Sequence, residues 1–218
     1  MSGGRKRLVR IGRRQRRAKV SHLVDHTTED RASGAIRSVQ TAEVALRPEE
    51  LETLWTPVYL ERLARTFWRF HTRVTLGLVR MIYSDTERSL VLLIRPLKLL
   101  KFALPEYELG AEHGLVRWQI EGGLLMAKRG HGAHGHLQID VYRMPDKARD
   151  EALLKVKVEI ANYHPAIASS LGRRVYRSTQ SRIHVLFALR FLRSLARLDL
   201  AESKVGRFDA RQARARQL

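Results

Sequence analysis

The chain has 218 residues, of which 44% are hydrophobic, and its formal net charge is +19 at pH 7. This length fits one domain with tails, and the hydrophobic fraction is sufficient for a core, which argues against disorder throughout. The chain contains no cysteine, so disulfides, thiolate metal sites and thiol nucleophiles are excluded. The first twenty residues lack the apolar stretch of a secretory signal, and we expect a cytoplasmic protein without a transmembrane segment.

Both ends of the chain are basic. Residues 1–20 hold nine basic side chains and no acid, and residues 201–218 hold five basic and two acidic side chains. We predict a disordered arm and linker over residues 1–35, one domain over residues 36–200 and a disordered tail over residues 201–218. The arm has no aromatic residue for base stacking, so its charge favours non-specific contact with RNA, ribosomes or DNA, or with an anionic membrane. The residues expected to bind this anionic partner are Arg5, Lys6, Arg7, Arg10, Arg13, Arg14, Arg16, Arg17 and Lys19.

The segment after the arm, residues 21–35, is rich in polar and small residues. On a helix, His22, Asp25, His26 and Glu29 would share one face, which is a spacing typical of metal ligands. We interpret the segment instead as a polar linker, and we predict no metal site in the chain.

The first predicted elements are a strand and two short helices. Alternation of Ala42, Val44 and Leu46 with more polar neighbours predicts a half-buried strand. Pro48 suits the first position of a helix, and a second helix over residues 57–70 carries one apolar stripe.

Six strands and one long helix follow. The strands are predicted over residues 73–83, 88–97, 99–109, 115–127, 136–143 and 152–163. Pro105 predicts an edge or a bulge, and Gly122-Gly123 predict a bend in the middle of a long strand. From about Ala166, and throughout from Arg174, to about Leu200 the pattern is helical. Its apolar stripe consists of Val185, Ala188, Leu189, Leu192, Leu195 and Ala196, and its basic stripe consists of Arg182, Arg190, Arg193 and Arg197.

Three histidines and three glycines stand close together in the stretch "KRGHGAHGHLQIDVYR", residues 128–143. A glycine-rich segment between two strands favours a hairpin connection. His131, His134 and His136 are of the type that binds zinc, but no carboxylate in the stretch is placed to orient them. We therefore interpret them as part of the connection.

The order of these elements resembles the helix-grip fold of the START and birch-pollen-allergen superfamily, which includes polyketide cyclases and dehydrases. The resemblance covers residues 36–200 and rests on element order, without a catalytic motif. It implies an α+β domain in which a curved antiparallel sheet of seven strands wraps around the long C-terminal helix. It also implies two short helices after the first strand and a cavity for an apolar ligand.

Polar residues near that implied cavity are the candidates for binding a ligand. Gln180 and His184 share a helix face, and Tyr163-His164 ends the last strand just before that helix. A histidine there can act as an acid, a base or a hydrogen-bond donor. The candidate ligand-binding residues are Trp118, Glu121, Tyr142, Tyr163, His164, Gln180 and His184.

Three functions stay open from the sequence. The first is binding of a hydrophobic small molecule or lipid without catalysis and without a cofactor. The second is an enzyme of the cyclase/dehydrase kind that uses His164 or His184 with Tyr163. The third is a ribosome- or nucleic-acid-binding protein that acts through its basic surface.

Overall fold

A computed structural model describes residues 18–30, 32–93, 97–127, 134–148, 151–164, 185, 187–195 and 200–201. These residues form an α+β structure with one large antiparallel sheet. The elements in chain order are β1 (Lys19–Glu29), β2 (Ile36–Leu46), α1 (Pro48–Leu54), α2 (Pro57–Val74), β3 (Val79–Tyr83), β4 (Arg88–Leu92), β5 (Lys98–Phe102), β6 (Glu106–Leu109), β7 (His113–Gly122), β8 (His136–Ala148) and β9 (Glu151–Tyr163).

The sheet is a single continuous layer. Its strand order is β1-β2-β9-β8-β7-β5-β4-β3, and β6 pairs with β7 beside β5. Every pair is antiparallel. The chain therefore runs from β2 across the two helices to the far edge at β3 and returns strand by strand to β9, which lies beside β2.

One face of the sheet packs against the helices, and we call it the inner face. Ala42, Val44 and Leu46 lie on this face and are at most 4% exposed, which confirms the alternation predicted for β2. In the strand register Ser38 lies opposite Ile160, Ile160 opposite Leu137, and Leu137 opposite Trp118. Side chains one residue away along each strand point to the opposite side, the outer face.

Aromatic rings join the sheet to the helices at the β7 side of the inner face. The Phe67 ring of α2 lies 6.4 Å from the Trp118 ring and 5.1 Å from the Phe191 ring, measured between centroids. Trp68 packs 5.4 Å from Trp118 and 5.5 Å from Phe102. Burial of rings of this size supplies much of the energy that holds a core together.

Both helices begin where proline allows it. Pro48 and Pro57 occupy first-turn positions, and the Thr56 hydroxyl accepts a hydrogen bond from the Tyr59 amide at 3.3 Å. The second helix is longer than predicted and runs to Val74, so the strand predicted over residues 73–83 is wrong before Val79. Thr75 caps the helix end, because its hydroxyl bonds the His71 carbonyl and accepts from the Val79 amide.

The linker prediction for residues 21–35 is wrong over most of its length. Lys19–Glu29 form the edge strand β1, which pairs with β2 and adds one strand to the predicted seven. A polar sequence hid this strand, because its side chains are mostly exposed on both faces and show no buried alternation.

Two glycines and a proline interrupt the predicted strands. β7 ends at Gly122, and Gly123 has φ +125° with the Leu99 carbonyl oxygen 2.4 Å from where a Cβ would stand. Only glycine fits there, so the strand stops where we predicted a bend. Near Pro105 the strand predicted over residues 99–109 divides into β5 and β6.

The predicted C-terminal helix falls only partly within the described residues. Residues 187–194 are helical, and we call them the C-terminal helical segment. Ala188, Leu192 and Leu195 of the predicted stripe are at most 5% exposed, while Arg190 and Arg193 are exposed. Most of the rest of the predicted helix, including Arg182 and Arg197, lies outside the described residues. No helix in the described part is long and apolar enough to cross a membrane.

Candidate functional site

Polar side chains occupy the β1–β2 end of the inner face. Ser38 and Gln40 of β2 continue the buried alternation of Ala42, Val44 and Leu46 toward the start of the strand. Asp25 and Thr27 of β1 stand opposite Gln40 and Ser38 in the strand register. We call these four residues, Asp25, Thr27, Ser38 and Gln40, the inner polar cluster.

Hydrogen bonds join the members of the inner polar cluster. The Gln40 amide nitrogen donates to Asp25 Oδ1 at 2.7 Å and to Ser38 Oγ at 2.8 Å. The hydroxyls of Thr27 and Ser38 are 2.9 Å apart, and Thr27 donates to Asp25 Oδ1 at 3.0 Å. These bonds fix the Gln40 amide plane, so the direction of its oxygen is set by its neighbours.

The Gln40 carbonyl oxygen is the unusual atom of this cluster. Gln40 is 0% exposed, and its Oε1 has no hydrogen-bond partner among the described residues. Leaving a buried acceptor without a donor costs about 1–3 kcal/mol, and folded proteins satisfy the great majority of such groups. Val158 faces Gln40 from β9, so the acceptor stands beside an apolar row of the sheet. A hydroxyl or N–H of a bound molecule would satisfy it.

A second buried polar atom without a partner lies at the end of β9. His164 is 7% exposed, its Nδ1 has no hydrogen-bond partner in the described part of the chain, and its carbonyl accepts from the Ala127 amide at 2.8 Å. The neighbouring Tyr163 hydroxyl donates to the Leu125 carbonyl at 2.5 Å. The segment after Gly123 is thereby fastened to the end of the last strand.

The structure separates the other predicted ligand-binding residues. Trp118 is 2% exposed and is packed within the aromatic core. Glu121 is exposed and pairs with Lys101 at 3.1 Å. Tyr142 lies on the outer face and stacks on His113. The predicted convergence on one cavity end is therefore found for neither Glu121 nor Tyr142, and Gln180 and His184 lie outside the described residues.

The outer face carries a buried network of its own. Asp140 is 1% exposed, although it lies on this face opposite Leu115 and Lys157. Its Oδ1 accepts from the Gln138 amide at 2.7 Å and lies 2.9 Å from His113 Nε2. Its Oδ2 lies 2.9 Å from Lys157 Nζ, an ion-pair contact rather than a directed hydrogen bond.

The network extends across β9 to β2. Lys157 Nζ lies 2.9 Å from Glu159 Oε2, and Arg37 donates to Glu159 Oε1 at 2.7 Å. Burial opposes the charge of Lys157, but its bonds to Glu159 and Asp140 outweigh burial and raise its pKa. Burial likewise opposes the charge of Glu159, but Lys157 and Arg37 lower its pKa. We call Arg37, Arg117, Gln138, Asp140, Lys157 and Glu159 the outer polar network.

The described residues contain no group of three His, Asp or Glu side chains placed to hold a metal ion. β7 and β8 pair antiparallel, so the histidine-rich stretch connects two antiparallel strands as predicted. His136 Nδ1 lies 3.4 Å from the His134 carbonyl, and His131 is outside the described residues. Asp25 and His26 fall on opposite faces of β1, so the helical ligand spacing of that segment does not form.

Comparison with solved structures gives matches that include a weak likeness to a bacterial protein. CalU16 from Micromonospora echinospora matches with a TM-score of 0.22 and 12% identity, over 63% of this chain and 67% of that chain. No known family and no curated protein matches the sequence.

Sequence reasoning missed Gln40 and Ser38, although a signal was present. The alternation that identified Ala42, Val44 and Leu46 as inward-facing extends back by twos to Gln40 and Ser38. A polar residue on the buried side of an otherwise regular strand marks either a satisfied network or a binding site. The partners that distinguish the two depend on β1, which sequence reasoning treated as linker.

Proposed function

We propose that this chain binds a small, mainly apolar molecule or lipid at the inner face of its sheet, and that the molecule donates a hydrogen bond to Gln40. The observation that carries the proposal is the buried Gln40 oxygen, which has no hydrogen-bond partner among the described residues. Its amide nitrogen is fully engaged by Asp25 and Ser38, so the side chain offers its acceptor without rearrangement. Preorganised groups bind with a smaller entropy cost.

The surroundings of Gln40 set the chemistry of the proposed ligand. The inner face beyond the polar cluster consists of apolar side chains such as Val158, Ile139 and Val156, each at most 3% exposed. A ligand site of this kind uses few polar groups for orientation and apolar contact for affinity. The ligand is therefore an apolar body with one hydroxyl or N–H group.

The order of the elements supports a helix-grip fold for the domain. A strand, two helices, a run of antiparallel strands and a C-terminal helical segment follow one another as in the superfamily that the sequence resembles. In that superfamily the space between sheet and C-terminal helix often holds an apolar ligand. This analogy concerns the fold, and the site itself is argued from Gln40.

The test begins with protein purified from its own host and native mass spectrometry, followed by organic extraction. We expect a stoichiometric apolar molecule. The variant Gln40→Met keeps the length of the side chain and removes its acceptor, so the affinity for the ligand is expected to fall about tenfold for the loss of one hydrogen bond, and the occupancy with it.

The matched control is Gln138→Met. Gln138 is also a buried glutamine of a central strand, but it lies on the outer face and both ends of its amide are bonded. This variant is expected to retain the ligand. Protein that emerges empty, or equal occupancy in wild type and Gln40→Met, would contradict the proposal.

A second candidate function, a cyclase/dehydrase-type reaction, is favoured by the buried Nδ1 of His164, which has no hydrogen-bond partner in the described part of the chain. Incubating the extracted molecule with fresh protein separates the two candidates by chromatography. Binding without catalysis leaves the molecule unchanged. Conversion that the variant His164→Gln abolishes would establish the enzyme instead.

A further inference from the structure

Four exposed leucines lie at one end of the β3–β4 hairpin. Leu76 and Leu78 stand in the loop between α2 and β3, and they are 91% and 47% exposed. Leu93 and Leu97 flank the loop between β4 and β5, and they are 62% and 39% exposed. The Leu93 amide donates to the Leu78 carbonyl at 2.7 Å, so the two loops are neighbours. We call these four residues the leucine tip.

The backbone holds the leucine tip in place. The Gly77 amide donates to the Thr72 carbonyl at 2.7 Å, and the Thr75 hydroxyl accepts from the Val79 amide at 3.1 Å. Leu76 and Leu93 have φ angles of 52° and 55°, in the left-handed region that side chains of this size rarely adopt. The fold thus maintains an unfavourable backbone conformation and exposes apolar side chains at the same time, a combination that marks functional sites.

Exposed arginines lie beside the leucine tip. Residues 62–84 contain five arginines and no acidic residue. Arg73 in the last turn of α2 is exposed, and Arg80 is also exposed while its Nε donates to the Gly77 carbonyl at 2.8 Å. Lys98 beside Leu97 pairs with Glu87 at 2.7 Å.

The nearest acids along the hairpin are Asp85 and Glu87, in the turn at its other end. The five residues of β3 separate the backbone of that turn from the tip by about 17 Å, and the Glu87 carboxylate is already engaged by Lys98 and Lys101. The arginines beside the leucines are therefore not neutralised by the hairpin's own acids.

We propose that the leucine tip docks on an anionic lipid bilayer, with the leucines entering the interface and Arg73 and Arg80 contacting the headgroups. Apolar side chains with arginines beside them suit an anionic bilayer, because apolar burial and electrostatic attraction add together there. A nucleic acid would meet the arginines but would leave the leucines exposed to water, since base recognition relies on aromatic stacking. This proposal goes beyond the proposed function and does not rest on it.

The basic arm could also draw the full chain to anionic vesicles, so the experiment must report on the tip itself. The chain has no cysteine, so the single variant Leu76→Cys can be labelled at one position with an environment-sensitive fluorophore such as NBD. Vesicles of phosphatidylcholine with a third of phosphatidylglycerol are the probe. The control position is Leu104, a leucine 44% exposed between β5 and β6, as Leu104→Cys.

We expect the fluorophore at position 76 to shift to the blue and gain intensity on these vesicles, and the fluorophore at position 104 to stay as in water. In co-sedimentation, unlabelled Leu76→Ser/Leu93→Ser is expected to partition about tenfold more weakly than wild type, and Leu104→Ser as wild type. Sedimentation with a water-like signal at position 76 would overturn the proposal. So would a loss of single-stranded RNA binding in the double leucine variant without a change in vesicle binding.

Discussion

The two faces of the sheet each bury a glutamine, and the two side chains differ in whether the amide oxygen accepts a hydrogen bond from a described residue. On the outer face, Gln138 donates to Asp140 and accepts from Arg117 at 2.8 Å. On the inner face, Gln40 donates twice and accepts from no described residue. The comparison teaches that burial of a polar side chain does not by itself indicate a binding site. The distinguishing feature is a buried acceptor that no described residue supplies with a hydrogen bond.

Removing charge from the outer polar network gives the largest expected effect. Asp140→Asn deprives Lys157 of one partner in a site that is 1% exposed, and we expect a loss of about 3 kcal/mol in the free energy of unfolding. Asp25→Asn in the inner polar cluster keeps the acceptor for Gln40 and is expected to cost less than about 1 kcal/mol. Urea unfolding measures both, and equal losses would break the comparison.

Substituting each of the two glutamines sharpens the comparison between the two faces. Gln138→Leu deprives Arg117 and Asp140 of one hydrogen bond each, so we expect a loss of about 2 kcal/mol. Gln40→Leu also loses two bonds, but it removes an oxygen that has no partner among the described residues, and its cost is expected to be smaller by about 1 kcal/mol. A Gln40→Leu variant that unfolds at lower urea concentration than Gln138→Leu would contradict this ranking.

The pH dependence of the outer polar network is a smaller effect with a definite sign. Burial opposes the charge of Glu159, but the bonds of its carboxylate to Lys157 and Arg37 outweigh burial and lower its pKa below 4.5. Stability from this group is therefore present above pH 4.5 and is lost as the pH falls through the lowered value. Glu159→Gln should flatten the acid limb of a plot of urea midpoint against pH. An unchanged slope between wild type and this variant would contradict the assignment.

The smallest expected effect is at the end of β9. Tyr163→Phe removes the hydrogen bond from the phenol to the Leu125 carbonyl, and we expect a loss of about 1 kcal/mol. Hydrogen exchange at the Ala127 amide, which bonds the His164 carbonyl, is expected to quicken in this variant more than exchange at the centre of β9. Uniform acceleration would indicate global rather than local loosening.

Periodicity predicted the elements that have one buried face, and it failed where burial depends on distant residues. The alternation in β2 and the stripes of α2 and the C-terminal helical segment were read correctly, because each presents apolar side chains to the core at a regular interval. β1 was missed because an exposed edge strand has no such interval. Leu76 was assigned to a strand because an exposed leucine gives the same local pattern as a buried one.

The candidate site was predicted less well than the fold. Tyr163 and His164 were placed correctly at the end of the last strand, since only the strand boundary was needed. Gln40 was not identified, because its significance depends on its hydrogen bonds. Asp25 and Ser38 accept from its amide nitrogen and leave its amide oxygen without a donor among the described residues. Such an arrangement is a property of two paired strands and is not visible in either strand alone.

The central claim is that the Gln40 oxygen accepts a hydrogen bond from a bound molecule. A crystal structure of the protein purified from its own host tests this most directly. The account predicts density for an organic molecule against the inner face, with a donor atom about 3 Å from Gln40 Oε1. A protein donor or an ordered water at that position, with the inner face otherwise filled by side chains, would contradict it.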